Sequence, residues 1–311
     1  MKVLVIDSHK SSKPTPANNL HWINAKIIAD RFGGDLIWSY PGVNDEIKSG
    51  YDVIIFVHAS HYAFVDYAWL EASPDAKLFH VTNEYNLGEP RILWMAAKRA
   101  GRKYNVIANH EAKPSKLVGK YIDDWNIVNL NALCIKPVED VQEKMIEQDL
   151  EGVFDKALYY GSFRKDRTKY FEKYFNSDSV VVSSHKKNHE KFHNIGANPE
   201  FITRINWSKN GLMQYQYSLY IEDEKTHTYY NFLANRFYEA LNYQTIPLFD
   251  ASCMNTLEKC GYNIGPEYVV NSPEELEEKL SSPPPFKKEW VEQALKEKET
   301  VLEEIDRIIN S

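Results

Sequence analysis

Short apolar runs recur through the first 135 residues, each followed by a segment of different rhythm. They are KVLVIDS (2–8), DLIWSY (35–40), YDVIIFVHAS (51–60), AKLFHVTNEY (76–85) and KYNVIANH (103–110), with IVNLNALCI (127–135) as a sixth candidate. They are brief, β-branched and nearly continuous, as strands buried on both faces are. Between the first two, Trp22, Ile23, Lys26, Ile27 and Phe32 recur at helical spacing over 17–32, and Gly33-Gly34 ends that helix. A charged helix is predicted at about 138–150, and a second series follows: KALYYG (156–161), SVVVSSH (179–185), EFITRI (200–205), YSLYIED (217–223), TIPLFD (245–250) and EYVVNS (267–272). The prolines of SSPPPFKKEW (281–290) break the pattern, and 290–310 reads as one amphipathic helix.

Alternation of this kind predicts an α/β chain of parallel sheets covered by helices on both sides. We expect two doubly wound, Rossmann-like domains facing a deep cleft, at 1–150 and 151–289, with the helix at 290–311 packing back towards the first. The length of 311 residues suits two domains. No apolar run reaches the roughly 18–20 residues of a membrane span, and MKVLVIDSHK meets Asp7 too soon for a signal peptide. Three cysteines without zinc spacing point to free thiols and a reducing cytoplasm. The net charge of −7 hides an asymmetry: 91–120 carries eight basic residues and one acidic, whereas 251–311 carries thirteen acidic and seven basic.

Two stretches carry candidate chemistry. In ALYYGSFRKDRTKYF (157–171) an apolar run ends in Gly161-Ser162, and Arg164 and Arg167 follow before a helical pattern begins. A turn between a strand and a helix offers backbone N–H groups to an anion, glycine admits a close approach, and guanidinium groups bind phosphate oxygens in pairs. The alternative is a plain turn with two surface arginines. In NFLANRFYEALNYQTIPLFD (231–250), Leu233, Phe237, Ala240 and Leu241 form a buried stripe, while Arg236 and Glu239 share another face. A carboxylate suits the hydroxyls of a ribose and an arginine suits a diphosphate; the alternative is an ion pair within the helix.

Together the two stretches resemble the nucleotide-sugar half of the T-even phage DNA β-glucosyltransferases. These are GT-B enzymes with a G-G-S-F-R-x₃-R turn and an R-V-W-E helix that move glucose from UDP-glucose to 5-hydroxymethylcytosine in DNA. The resemblance implies an inverting, UDP-sugar-dependent hexosyltransferase of phage DNA modification. Ser162, Arg164, Arg167 and Arg236 would hold the donor phosphates and Glu239 the ribose, with Gly161, Ser183 and Ser184 beside them. Here Tyr160 stands where that family has its first glycine, and one residue fewer separates the two arginines.

The loop FHVTNEYNLGEP (79–90) resembles the family's F-T-D loop, whose aspartate is the catalytic base, but Asn83 occupies the matching position and an amide cannot take the proton. Glu84 is the expected base, with His9, His58 and Asp7 next and His61 a further strand-end candidate. Lys98, Arg99, Arg102 and Lys103, with Lys113 (before Pro114) and Lys116, are expected to contact a DNA acceptor, its target base flipped out of the duplex. No Asp-x-Asp pair is present, and no essential metal is expected. HKKNHEKFH (185–193) could place three histidines on one helical face, or be a solvated basic surface. The chain is expected to be monomeric. Two other readings stay open: a GT-B enzyme with a glycan or small-molecule acceptor, and a nucleotide-sugar-binding protein without catalysis.

Overall fold

The structure is a computed structural model that describes residues 1–8, 19–39, 47–58, 63–83, 90–111, 114–136, 155–202, 204–207, 211–222 and 231–311. The helix expected at 138–150, and His9, His61, Glu84 and Lys113, lie outside the described residues. The chain divides into two compact units, one formed by Met1–Cys134 with Glu297–Ser311 and the other by Ile135–Lys296.

The first unit is built on strands β1 (Val3–Ser8), β2 (Asp35–Ser39), β3 (Val53–His58), β4 (Lys77–Thr82), β5 (Tyr104–Ala108) and β6 (Ile122–Ile127). They form one parallel sheet in the order β2-β1-β3-β4-β5-β6. Helices α1 (Asn19–Phe32), α2 (Ala63–Ala72), α3 (Pro90–Ala100) and α4 (Lys116–Gly119) connect them. Leu4, Ile6, Ile54 and Phe56 pack with Trp69 of α2 and Leu93 of α3. Side chains alternate along a strand, so Val3 and Val5 face the other way. That side is covered by α1, whose Ala25, Ile28 and Ala29 are buried. Gly33, at φ 57°, ends α1 in the left-handed conformation expected of a helix stop.

The sixth strand is not where the apolar pattern put it. IDDWNI pairs with β5, while Leu130–Cys134 coils into a buried 3-10 turn. The physical reason is position. β6 is an edge strand, so Asp123 and Asp124 stay exposed and the rule of two buried faces does not apply. Within the apolar run, Asn129 uses its side chain to reach Glu297 at 2.6 Å, and its carbonyl accepts from Ala132 N–H at 3.2 Å. A second tie to the carboxyl-terminal stretch is Arg31 to Asp306, 2.5 Å.

The second unit repeats the plan with β7 (Ala157–Tyr160), β8 (Val180–Ser183), β9 (Glu200–Ile202), β10 (Tyr217–Tyr220), β11 (Ile246–Asp250) and β12 (Val269–Val270). The parallel order is β12-β11-β10-β7-β8-β9. Its helices are α5 (Thr168–Tyr174), α6 (His189–His193), α7 (Asn235–Leu241), α8 (Met254–Leu257) and α9 (Pro273–Ser281). Ser272 caps α9 by accepting from Glu275 N–H at 3.2 Å, with Pro273 at the first helical position. The last helix, α10 (Lys288–Asn310), begins after Pro283–Pro285 and buries Trp290, Val291, Ala294, Leu302, Ile305 and Ile309 on one stripe. Each sheet reverses its order once, between β1 and β3 and between β7 and β10. Such reversals are where open α/β sheets bind ligands, outside the carboxyl ends of the strands.

Candidate functional site

The turn after β7 stands at the reversal of the second sheet. Gly161 N–H donates to the Ser183 carbonyl at 3.1 Å. Ser184 Oγ donates to the Gly161 carbonyl at 2.6 Å and accepts from Asn188 Nδ2 at 3.0 Å. Ser183 Oγ instead accepts from Ile205 N–H at 3.1 Å. Gly161 has φ 152°, and a Cβ there would lie 2.9 Å from Arg236 Nη2. The space kept open by this glycine is therefore filled by a protein guanidinium rather than kept for a ligand alone.

Beneath the turn, one carboxylate ties two arginines. Glu222, two residues past β10 and buried, accepts from Arg167 Nη2 through Oε2 and from Arg236 Nη1 through Oε1, both at 2.5 Å. Arg167 Nη1 also donates to the Tyr159 hydroxyl at 3.3 Å, and Arg236 Nε donates to the Tyr160 carbonyl at 3.1 Å. Burial is the largest single effect on Arg236 and opposes its charge, but the Glu222 carboxylate, with smaller help from Tyr159 and Tyr160, leaves the guanidinium above its ordinary value. Arg236 remains partly accessible at 17%, whereas Arg167 is only 6% exposed. Arg167 thus lies under the site, braced by protein groups, and Arg236 lies at its surface.

Glu239 sits one turn along α7 from Arg236. It accepts from the Tyr160 hydroxyl and from Asn235 Nδ2, each at 2.8 Å. Burial raises its affinity for a proton despite those bonds. Tyr160, the residue that replaces a glycine in the resembled family, thereby orients the carboxylate. Ser162 and Arg164 are exposed on the same turn, with Arg164 in extended conformation at φ −122° and ψ 126°. Phe163 anchors the turn against Phe171 and Phe192. The helix that follows is only seven residues long and starts after a 3-10 turn, so its dipole adds little.

Gly161, Arg167, Arg236 and Glu239 are therefore brought together, Ser183 and Ser184 adjoin them, and Ser162 and Arg164 share the exposed side. Sequence reasoning missed Glu222. Its only signal was an acidic residue directly after a strand, at the strand that proves to border the reversal.

In the first unit, Asn83 is built into a row of amides. Asn24 Nδ2 donates to Asn83 Oδ1 at 3.1 Å, and Asn83 Nδ2 donates to Asn131 Oδ1 at 2.9 Å. Asp7, the penultimate residue of β1, is fully buried. His58 pairs with it in strand register. Among the basic residues, Arg102 donates to the carbonyls of Leu70 and Ser73 at 3.1 Å and also to that of Ala76. Lys103 pairs with Asp123 at 3.0 Å. Arg99 lies over the Tyr67 ring at 3.8 Å and Lys98 over Trp94 at 5.5 Å. Lys116 is exposed on α4.

The three histidines of 185–193 do not share a helical face. His185 caps a 3-10 turn, His189 stacks on Phe201 at 3.7 Å, and His193 bonds Asn198 at 2.8 Å. Among the described residues no three metal-ligating side chains are grouped to hold an ion, and no helix is long and apolar enough to cross a membrane.

No protein-family profile matches the sequence, and no curated protein matches it either. Solved structures do. The Anabaena protein Alr3699/HepE in complex with UDP-glucose aligns over 98% of this chain and 99% of its own, at 9% identity and a TM-score of 0.52. The same protein with UDP and glucose aligns over 99% of both chains at 10% identity and a TM-score of 0.48. UDP-N-acetylglucosamine 2-epimerase from Rickettsia bellii covers 70% of this chain and 73% of its own, at 13% identity and a TM-score of 0.40. The first of these supports the fold: two parallel six-stranded sheets with interspersed helices, an α/β two-domain fold of the GT-B class. None of them is a phage DNA glucosyltransferase.

Proposed function

We propose that the protein is a glycosyltransferase that uses a UDP-sugar, with the donor held by the second unit. The observation that carries the reading is the meeting of a Gly-Ser turn, the Glu222-tethered arginines and Glu239 at the reversal of the second sheet. Arg236 and Arg164 supply positive charge for the diphosphate, Ser162 a hydroxyl, and Glu239 a carboxylate for the ribose hydroxyls. Arg167 acts through Glu222 as a positioning residue. Charge that develops on the departing diphosphate is stabilised best by donors already in place, and a buried carboxylate bracing two guanidinium groups keeps them in place. The crystal structure of HepE, which shares the fold, was solved with UDP-glucose bound, and this supports a UDP-sugar as the ligand class.

Calorimetry with UDP tests the donor reading. Arg236→Ala is expected to weaken UDP binding by roughly 1.5–3 kcal/mol, as for loss of charged hydrogen bonds. Unchanged affinity in a folded Arg236→Ala protein would remove the second unit from the donor site.

The acceptor is the finer question. A hydroxymethyl pyrimidine in DNA follows from the sequence resemblance alone. Arg102 and Lys103 are engaged within the first unit, while Lys98 and Lys116 are exposed and Arg99, also exposed, stacks on Tyr67. The net charge of −7 favours a glycan or small-molecule acceptor. Binding to hydroxymethylated duplex DNA that falls steeply with salt would favour DNA. A flat salt response, or no binding, would favour the others.

A further inference from the structure

The Gly161 turn follows the carboxyl end of β7. At the opposite end of the same parallel sheet, where β10 and β11 begin, lies a cavity of about 420 Å³. That volume falls in the range of small-molecule pockets, roughly 300–1,000 Å³. Its lining includes Tyr215 and Gln216 before β10, Tyr243 and Gln244 before β11, and the proline strap 283–286 ahead of α10, all within the second unit. The walls are fixed. Thr245 Oγ1 donates to the Tyr215 carbonyl at 3.1 Å and Ile246 N–H to the Gln216 carbonyl at 2.8 Å, which holds the two strand entries side by side. A Cβ at Gly211 would overlap the Tyr243 ring, so that glycine gives the ring its place. The Tyr268 hydroxyl donates to the Pro285 carbonyl at 2.6 Å, and consecutive prolines leave the strap little freedom.

Gln244 breaks a rule that the rest of the chain keeps. Helices α1, α3 and α6 end by one device, in which a residue of positive φ bonds three residues back and its successor five back. Glycine fills that place each time, as Gly33 (φ 57°), Gly101 (φ 67°) and Gly196 (φ 77°). After α7 the same two bonds run from Gln244 N–H to the Leu241 carbonyl at 3.1 Å and from Thr245 N–H to the Ala240 carbonyl at 2.9 Å. There the left-handed residue is a glutamine, at φ 52°, the one non-glycine with positive φ among the described residues. A side chain is strained in that conformation and glycine is not. The helix stop therefore does not call for the glutamine, and Gln244 lines the cavity.

The lining also says what fits. Among the described residues that form it, none is charged. Lys136 lies over the Tyr243 ring at 5.9 Å but is not part of the lining. Such a wall offers no counter-charge to a phosphate or carboxylate. Amides and phenols both donate and accept, as sugar hydroxyls require, and Phe286 with the prolines presents apolar faces suited to the C–H side of a sugar ring. Burial, joined at Tyr243 by the Glu239 charge, pushes both phenols up, so each keeps its proton to donate.

We propose that this cavity binds a neutral saccharide, a sugar or short glycan, at a site apart from the donor, with Gln244 as its specific contact. The assignment does not depend on the transferase reading. The test is saturation-transfer NMR on the full chain with glucose, maltose and cellobiose, and with glucuronate as the charged control. A neutral sugar is expected to bind, to stay bound when UDP is added in excess, and to be preferred over glucuronate. Gln244→Gly is expected to weaken that binding roughly 2–10-fold, the worth of one neutral hydrogen bond, while melting at or above the wild-type temperature. Gln216→Ala, on an exposed residue, is expected to weaken it similarly. Binding by none of the three sugars overturns the proposal, as does a signal abolished by UDP or one that both variants leave unchanged. A Gln244→Gly protein that melts below the wild type would give the glutamine a role in the fold and overturn its assignment as the ligand contact.

Discussion

Replacing Glu222 by alanine is expected to destabilise the second unit by about 3–5 kcal/mol, the usual effect of removing one partner from a buried ion pair. The carboxylate is the anionic partner of Arg167 and of Arg236 at once, and both it and Arg167 are almost wholly out of water. Alanine would leave two guanidinium groups near each other, with hydroxyl and carbonyl acceptors but no counter-charge. Desolvation, not the lost attraction, sets the size of the effect. For that reason Arg167→Met combined with Glu222→Gln is expected to be less harmful than Glu222→Ala alone. Urea unfolding followed by a probe in the second unit measures both. A loss under about 1 kcal/mol would mean that water reaches the triad and that its arginines are not fixed in advance.

Asp7→Asn is expected to stabilise the protein above neutral pH and to leave it nearly unchanged at pH 4. Folding raises the Asp7 carboxyl from 3.8 to about 7. Between those values the folded chain holds a proton that the unfolded chain has given up, so stability falls as pH rises through the window. Below about 4 both states are protonated and nothing is lost. By pH 8 the folded carboxylate is charged and buried, and the accumulated loss is roughly 4 kcal/mol at about 1.36 kcal/mol per unit. Asparagine carries no titrating proton, so the difference between variant and wild type should open progressively from pH 4 to pH 8. Urea midpoints across that range read it directly, and a difference that stays flat with pH would mean that Asp7 is hydrated and titrates normally.

The inner strands were legible because they are buried on both faces and read as unbroken apolar words. VVVS of β8 and IPLFD of β11 fall inside the runs picked out beforehand. β6 was not legible, since an edge strand needs only one neighbour and carries Asp123 and Asp124 in the open. The arginines proposed for the donor stood out through local spacing, Gly161 to Arg167 in one turn and Arg236 to Glu239 in one helix. Glu222 and the Asn24–Asn83–Asn131 row did not. Their partners are 14 to 59 residues away, and no local periodicity records a contact made only by the sheet order. That Asp7 has no hydrogen-bond partner among the described residues was likewise invisible, because a single aspartate near a strand end looks the same in sequence whether or not it is bonded.

The first unit is assembled from two separated pieces of chain, and its last piece carries Ile305, Ile308 and Ile309 into a buried position, together with the Asp306 and Glu297 ties. During synthesis, Met1–Cys134 emerge early and must wait for Glu297–Ser311, while the whole of Ile135–Lys296 is made. At about 5–20 residues per second that interval is on the order of ten to thirty seconds. The second unit is continuous and can close as soon as it leaves the ribosome. The half of the protein made first is thus completed last, with apolar surface bare in the meantime and open to chaperones.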